Sequence, residues 1–165
     1  MRDSRKGGGR EGIPRGRCPS LQATLATILL LFTSACSRPQ TYLLVVDTSG
    51  SMTESGLIAP VKASMRKVLL QAKPGDLVRI LAFDSGAELI REQRIAGPDD
   101  LVDIFDQIEN LKATGRWTNL VAALDASLKS AVEIQKAEPG SKVTLVLYTD
   151  GRHDPPPEAR GAIPD

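Results

Sequence analysis

Five oxygen-bearing side chains stand at three separated places in this chain, and their types suit a hard cation. Asp47, Ser49 and Ser51 occupy alternate positions of Asp47-Thr48-Ser49-Gly50-Ser51, so their oxygens can converge on one point. Gly50 lets the backbone turn there without a Cβ clash. Thr118 lies in Gly115-Arg116-Trp117-Thr118-Asn119, and Asp150 follows Val146-Leu147-Tyr148-Thr149. Two carboxylates and three hydroxyls, with room for water, suit Mg²⁺, which takes oxygen ligands near-octahedrally and keeps several waters. Mn²⁺ and Ca²⁺ are the alternatives, since availability decides among hard cations. Zinc fits poorly, because this set brings no His or Cys with it.

The acids follow apolar runs that read as strands. Tyr42 to Val46 and Val143 to Tyr148 are apolar on successive residues rather than alternate ones, the pattern of parallel strands buried on both faces. Leu77 to Phe83 reads as a further strand, and Ala87 to Arg91 as a weaker one at an edge. Leu57 to Ala72 carries Val61, Met65, Val68 and Leu69 at helical spacing, with Pro60 in its first turn and Pro74-Gly75 after it. Asp99-Asp100 opens a helix whose stripe is Leu101, Ile104, Phe105, Ile108 and Leu111. Thr118 or Asn119 caps another, with Leu120, Ala123, Leu124, Leu128, Ala131 and Val132 expected inward. Strands alternating with helices predict an α/β fold, a doubly wound, mainly parallel sheet with flanking helices. In such sheets ligands bind outside the carboxyl ends of the strands, where Asp47 and Asp150 stand.

These residues resemble the von Willebrand factor A domain, whose metal-ion-dependent adhesion site has the pattern Asp-x-Ser-x-Ser, then a distant Thr, then a distant Asp. Here Asp47, Ser49 and Ser51, then Thr118, then Asp150 match it, and the resemblance runs from about Thr41 to Gly151. It implies a Rossmann-like fold and metal-dependent protein binding rather than catalysis. Ser49, Ser51 and Thr118 would hold the cation directly, while Asp47 and Asp150 act through waters or hydrogen bonds. The last coordination position would go to a Glu or Asp of an unknown partner protein. Neutral ligands leave the cation's charge under-compensated, so an incoming carboxylate gains strongly. Trp117 and Arg116, beside Thr118, are candidate partner contacts; the other reading of Trp117 is a loop residue folded back onto the domain.

The resemblance also implies more chain than is present. A whole domain of this kind continues with about two more strands and two helices, whereas Gly151 to Glu158 is turn-rich and without apolar period. The expectation is a partial domain over residues 41–165: a truncated gene product, a partial sequence, or a half-domain completed by another chain. The alternative to a binding module is therefore a non-functional or scaffold fragment of a longer protein.

The front of the chain predicts export. Arg2, Arg5, Lys6, Arg10, Arg15 and Arg17 precede the apolar stretch Leu21 to Phe32, the pattern of a secretory signal. Twelve residues are too few to span a bilayer, which takes about 20. Thr33-Ser34-Ala35-Cys36 resembles a bacterial lipobox, with Thr33 where Leu is most usual, so Cys36 is a lipidation candidate. Residues 1–36 are then a disordered basic region plus signal, residues 37–40 a short linker, and the domain is held at the membrane in the cell envelope. An ordinary cleaved signal or an uncleaved anchor are the other readings. Cys18 would leave with the signal, so no disulfide is expected.

Several function classes are disfavoured. Net charge is +1 and aromatics are 4% of residues, which leaves little to attract or stack nucleic acid. Lys62 and Lys67 read as solvated or snorkelling side chains. There is no Gly-x-x-x-x-Gly-Lys phosphate loop and no Gly-x-Ser-x-Gly elbow. Ser49 stands where a dehalogenase-type phosphatase needs a second Asp. The only histidine, His153, reads as part of a solvated turn. A metal-assisted hydrolase ranks last, because no positioned general base is visible.

Overall fold

The computed structural model describes residues 38–160. The readings of a basic leader, a signal and a lipidated Cys36 fall on residues outside that range. In chain order the elements are β1 (Gln40–Asp47), α1 (Gly50–Glu54), α2 (Ile58–Leu69), β2 (Leu77–Phe83), β3 (Ala87–Arg94), α3 (Pro98–Glu109), α4 (Leu120–Ala137) and β4 (Lys142–Tyr148), followed by a 3₁₀ turn at Pro157–Ala159. The sheet order is β3-β2-β1-β4. β1 pairs in parallel with both β2 and β4, whereas β3 runs antiparallel to β2 at one edge. This is the expected α/β sheet, mixed through its edge strand.

β1 is central because its residues tolerate no water on either side. Tyr42, Leu44 and Val46 join Met65, Leu69, Ile104 and Ile108 under α2 and α3. Leu43 and Val45 join Leu81, Phe83 and Ala123 under α4. Consecutive residues therefore enter opposite cores, which is why the run is continuous rather than alternating. β3 carries Glu88, Arg91, Glu92 and Arg94, charges that suit a solvated edge.

Among the departures from the sequence reading are two strand boundaries and one added helix. β1 starts at Gln40, whose side chain donates to Thr144 Oγ1 at 2.9 Å, so the expected linker shortens. β3 extends to Arg94, because its pairing with β2 continues to Leu77. The short helix α1 was not foreseen; it follows directly from the turn at Ser49.

The inward face of α4 is a correction. Ala123, Ser127, Ser130 and Ile134 are buried, whereas Leu124, Leu128 and Val132 are 50%, 65% and 51% exposed. Small residues let the helix lie close to the sheet, and Ser127 satisfies its own hydroxyl on Ala123 O. The larger apolar residues face solvent instead.

Candidate functional site

β1 and β4 deliver their acids to the same end of the sheet. Asp47 pairs with Phe83, the last residue of β2, and Val46 pairs with Tyr148, the last of β4. The chain leaves β1 for β2 on one side and β4 lies on the other, so a crevice opens where the connections diverge.

Asp47 is completely buried. Its Oδ1 accepts the Ser49 N–H at 2.9 Å and its Oδ2 accepts the Thr149 hydroxyl at 2.9 Å. Both oxygens are thus occupied in bracing the first loop against the loop after β4. The brace turns the next hydroxyls inward: Ser49 Oγ and Ser51 Oγ lie 3.0 Å apart. Thr149 escaped the sequence reading, because only the fold shows that its hydroxyl meets Asp47.

The Thr118 loop is tied to the same place by backbone. Gly50 N donates to Gly115 O at 2.6 Å, and Gly115 N donates to Thr48 O at 2.9 Å. Thr53 Oγ1 donates to Ala113 O at 2.7 Å. Gly115 is required here by close approach, since a Cβ on it would meet Asp84 Cβ at 2.4 Å. Thr118 is 4% exposed and exchanges two backbone hydrogen bonds with Asp154, at 2.8 and 3.0 Å. Asn119, not Thr118, caps α4, its Oδ1 accepting the Ala122 N–H at 3.1 Å.

Asp150 differs from Asp47. Its Oδ1 accepts the Arg152 N–H at 2.9 Å. Its Oδ2 is buried without a hydrogen-bond partner among the described residues; Arg152 Nε, at 3.7 Å, is too far to donate. A carboxylate oxygen left so is costly unless a cation or water meets it.

Ser49, Ser51 and Thr118 line a cleft of about 420 Å³, with Glu54, Arg116, Arg152 and Asp154 around them. Arg116 is therefore at the rim of the cleft. Trp117 does not line the cleft: the guanidinium carbons of Arg116 and Arg160 lie 4.9 and 5.4 Å from its ring centroid. That placement follows the folded-back reading of Trp117.

His153 is half-buried rather than part of a solvated turn, a correction that only the long-range contact explains. Its Nδ1 accepts the Leu120 N–H at 3.3 Å, adding to the cap of α4. Lys62 donates its ammonium to Glu109 O at the end of α3, where a helix favours positive charge. Among the described residues, no three His, Cys, Asp or Glu side chains group to hold a metal, so hydroxyls dominate this donor set. No described helix is long and apolar enough to cross a membrane.

Comparisons with known proteins agree with this fold. The sequence profile of the von Willebrand factor type A domain matches residues 42–153. A von Willebrand factor type A protein from Catenulispora acidiphila is similar in structure, with a TM-score of 0.54 and 18% identity over 66% of this chain and 25% of that one. The type V pili tip protein Mfa5 from Porphyromonas gingivalis gives a TM-score of 0.54 and 18% identity over 70% of this chain and 20% of its three N-terminal domains. Proximal thread matrix protein 1 from the mussel byssus, described with a zinc-occupied metal-ion-dependent adhesion motif, gives a TM-score of 0.58 and 15% identity over 77% and 35%. The chain spans between 20% and 35% of the length of these three structures. No curated protein matches it.

Proposed function

The chain belongs to the von Willebrand factor type A family, and from that premise we propose that it captures a protein partner through a divalent cation held at the Ser49, Ser51 and Thr118 cleft. The observation that carries this reading is the division of labour at the cleft. Asp47 spends both oxygens on hydrogen bonds, two serine hydroxyls converge 3.0 Å apart, and a buried oxygen of Asp150 is left without a donor. A donor set of hydroxyls backed by acids fits Mg²⁺, with Mn²⁺ or Ca²⁺ as alternatives. When bound, the cation supplies positive charge that its mostly neutral ligands do not cancel. Asp47 orients the serines, and Asp150 balances charge from the side.

A Glu or Asp of the partner would complete the site. Arg116 and Arg152 at the rim are matched there by Glu54 and Asp154, so the attraction for an acidic group comes from the cation. Binding rather than catalysis is the reading, because the only histidine is engaged with a helix N-terminus and not with a serine. A place at the cell surface is supported by the kind of protein the fold matches, a pilus tip protein among them. It also accords with the export signal read in residues 1–36, and lipidation at Cys36 would hold the domain at the membrane.

Calorimetric titration of Mg²⁺, Mn²⁺, Ca²⁺ and Zn²⁺ into the chain tests the metal. Thr118→Ala should weaken Mg²⁺ binding at least about tenfold, the loss of one ligand, with an unchanged far-UV CD spectrum. Equal affinity in the variant, or no binding of any of the four ions by the native chain, would sink the reading.

A further inference from the structure

The end of the sheet opposite the cleft, its foot, is where the chain enters the domain. β1 begins there at Gln40, and its neighbours β2 and β4 begin there at Leu77 and Lys142. Asp76 ties the turn before β2 to the start of β1. Its Oδ1 accepts the Gln40 N–H at 2.8 Å and its Oδ2 accepts the Lys73 N–H at 2.9 Å. On the other side Gln40 pairs with Lys142 across the ladder. Gln135 of α4 donates to Ser141 O at 2.7 Å, and Arg38 borders the same cavity as Ser141.

Four cations surround this point of entry: Arg38, Lys73, Lys142, and Lys136 one residue before the end of α4. All four are exposed, and none forms an ion pair among the described residues. The acids of the foot are engaged or lie to one side. Asp76 is 7% exposed and holds two backbone donors. Glu138 pairs with Arg94. Asp100 accepts the Ala96 and Gly97 N–H groups, and exposed Asp99 opens α3, which leaves from β3 at the sheet edge away from β4. A basic end that its own chain does not neutralise suits an anionic surface.

We propose that the foot docks onto the headgroups of an anionic membrane and holds the cleft away from the lipid; this rests on the reading that residues 1–36 bring the chain to a membrane. Ser37, Arg38 and Pro39 separate Cys36 from β1, and three residues reach at most about 10 Å. A surface charge acts over about 10 Å at 0.1 M salt, so this connection keeps the four cations in its field. From Gln40 to Asp47, β1 then rises about 23 Å. The cleft of Ser49, Ser51 and Thr118 therefore opens to the solution, where a partner approaches.

Amine footprinting of the full chain tests this, with a membrane-impermeant acylating reagent read by mass spectrometry. The chain is labelled free, on phosphatidylcholine vesicles, and on vesicles that also contain phosphatidylglycerol. On the anionic vesicles Lys73, Lys136 and Lys142 should lose reactivity, while Lys112 and Lys129 keep theirs. Salt at about 1 M, where the screening length falls to about 3 Å, should restore it. Replacing all three, as Lys73→Gln, Lys136→Gln and Lys142→Gln, should weaken binding to the anionic vesicles at least about tenfold, from about fivefold per cation, with an unchanged CD spectrum. Co-sedimentation with the neutral vesicles reads the tether separately. Protection of the foot on anionic vesicles without binding to neutral ones would support the docking and remove the tether. Binding to neutral vesicles, with the foot lysines as reactive on anionic vesicles as in solution, would overturn the docking and leave the tether standing. Protection spread evenly over all five lysines, or no binding to either vesicle, would also overturn it.

Discussion

Removing the carboxylate of Asp47 strands two donors at once, the Ser49 N–H and the Thr149 hydroxyl. Hydrogen bonds to a charged group are worth more than neutral ones, and this one is wholly buried. Asp47→Ala should therefore cost about 2–4 kcal/mol in urea unfolding, as well as metal binding. Asp47→Asn keeps one acceptor and should cost less than half as much. Thr118→Ala, by contrast, should touch metal affinity alone. A stability loss as large in Thr118→Ala as in Asp47→Ala would remove the distinction between brace and ligand. The sequence showed these five residues as one set, because their types and spacing suffice to suggest a cation. Their separate roles were not legible. Those depend on Thr149 and Asp154, partners far along the chain that no local pattern marks.

At the scale of elements, the legible parts were those with an unbroken or nearly unbroken apolar run. β1, β2 and β4 are mainly apolar and were placed to within a few residues. Helix α4 was read in part: Ala123 is buried and Leu120 and Ala131 pack against the core, but Leu124, Leu128 and Val132 are exposed, because the helix is apolar on more than one side and its buried face contains Ser127 and Ser130. Periodicity locates a stripe but does not tell a core stripe from an exposed one. The contact between the first loop and the Thr118 loop is set by backbone rather than by side chains. Gly115→Ala tests it: its new methyl would collide with Asp84 Cβ, and the loops must part. We expect a loss of about 1–3 kcal/mol and weakened Mg²⁺ binding, measured on the same sample. Full retention of both would mean that the loops are not held by this approach.

Across the whole molecule, acid stability should carry the mark of Asp100. The backbone N–H groups of Ala96 and Gly97, with the Gln93 side chain, hold its carboxylate below the ordinary value of 3.8. A depressed folded value means stability that is present above pH 3.8 and is lost as pH falls through the folded value. Asp100→Asn should therefore flatten the acid limb of a stability-against-pH curve and lower its plateau near neutrality. An identical acid limb in the variant would show that other carboxylates set it. The segment after β4 has a different consequence. It returns to bridge Thr118 through Asp154 and lays Arg160 against Trp117, the only tryptophan in the chain. Indole emission is sensitive to charge beside the ring, so the molecule contains its own optical gauge. A change at the cleft that moves Thr118 must pass through its neighbour Trp117, and unlabelled protein can report it by fluorescence alone.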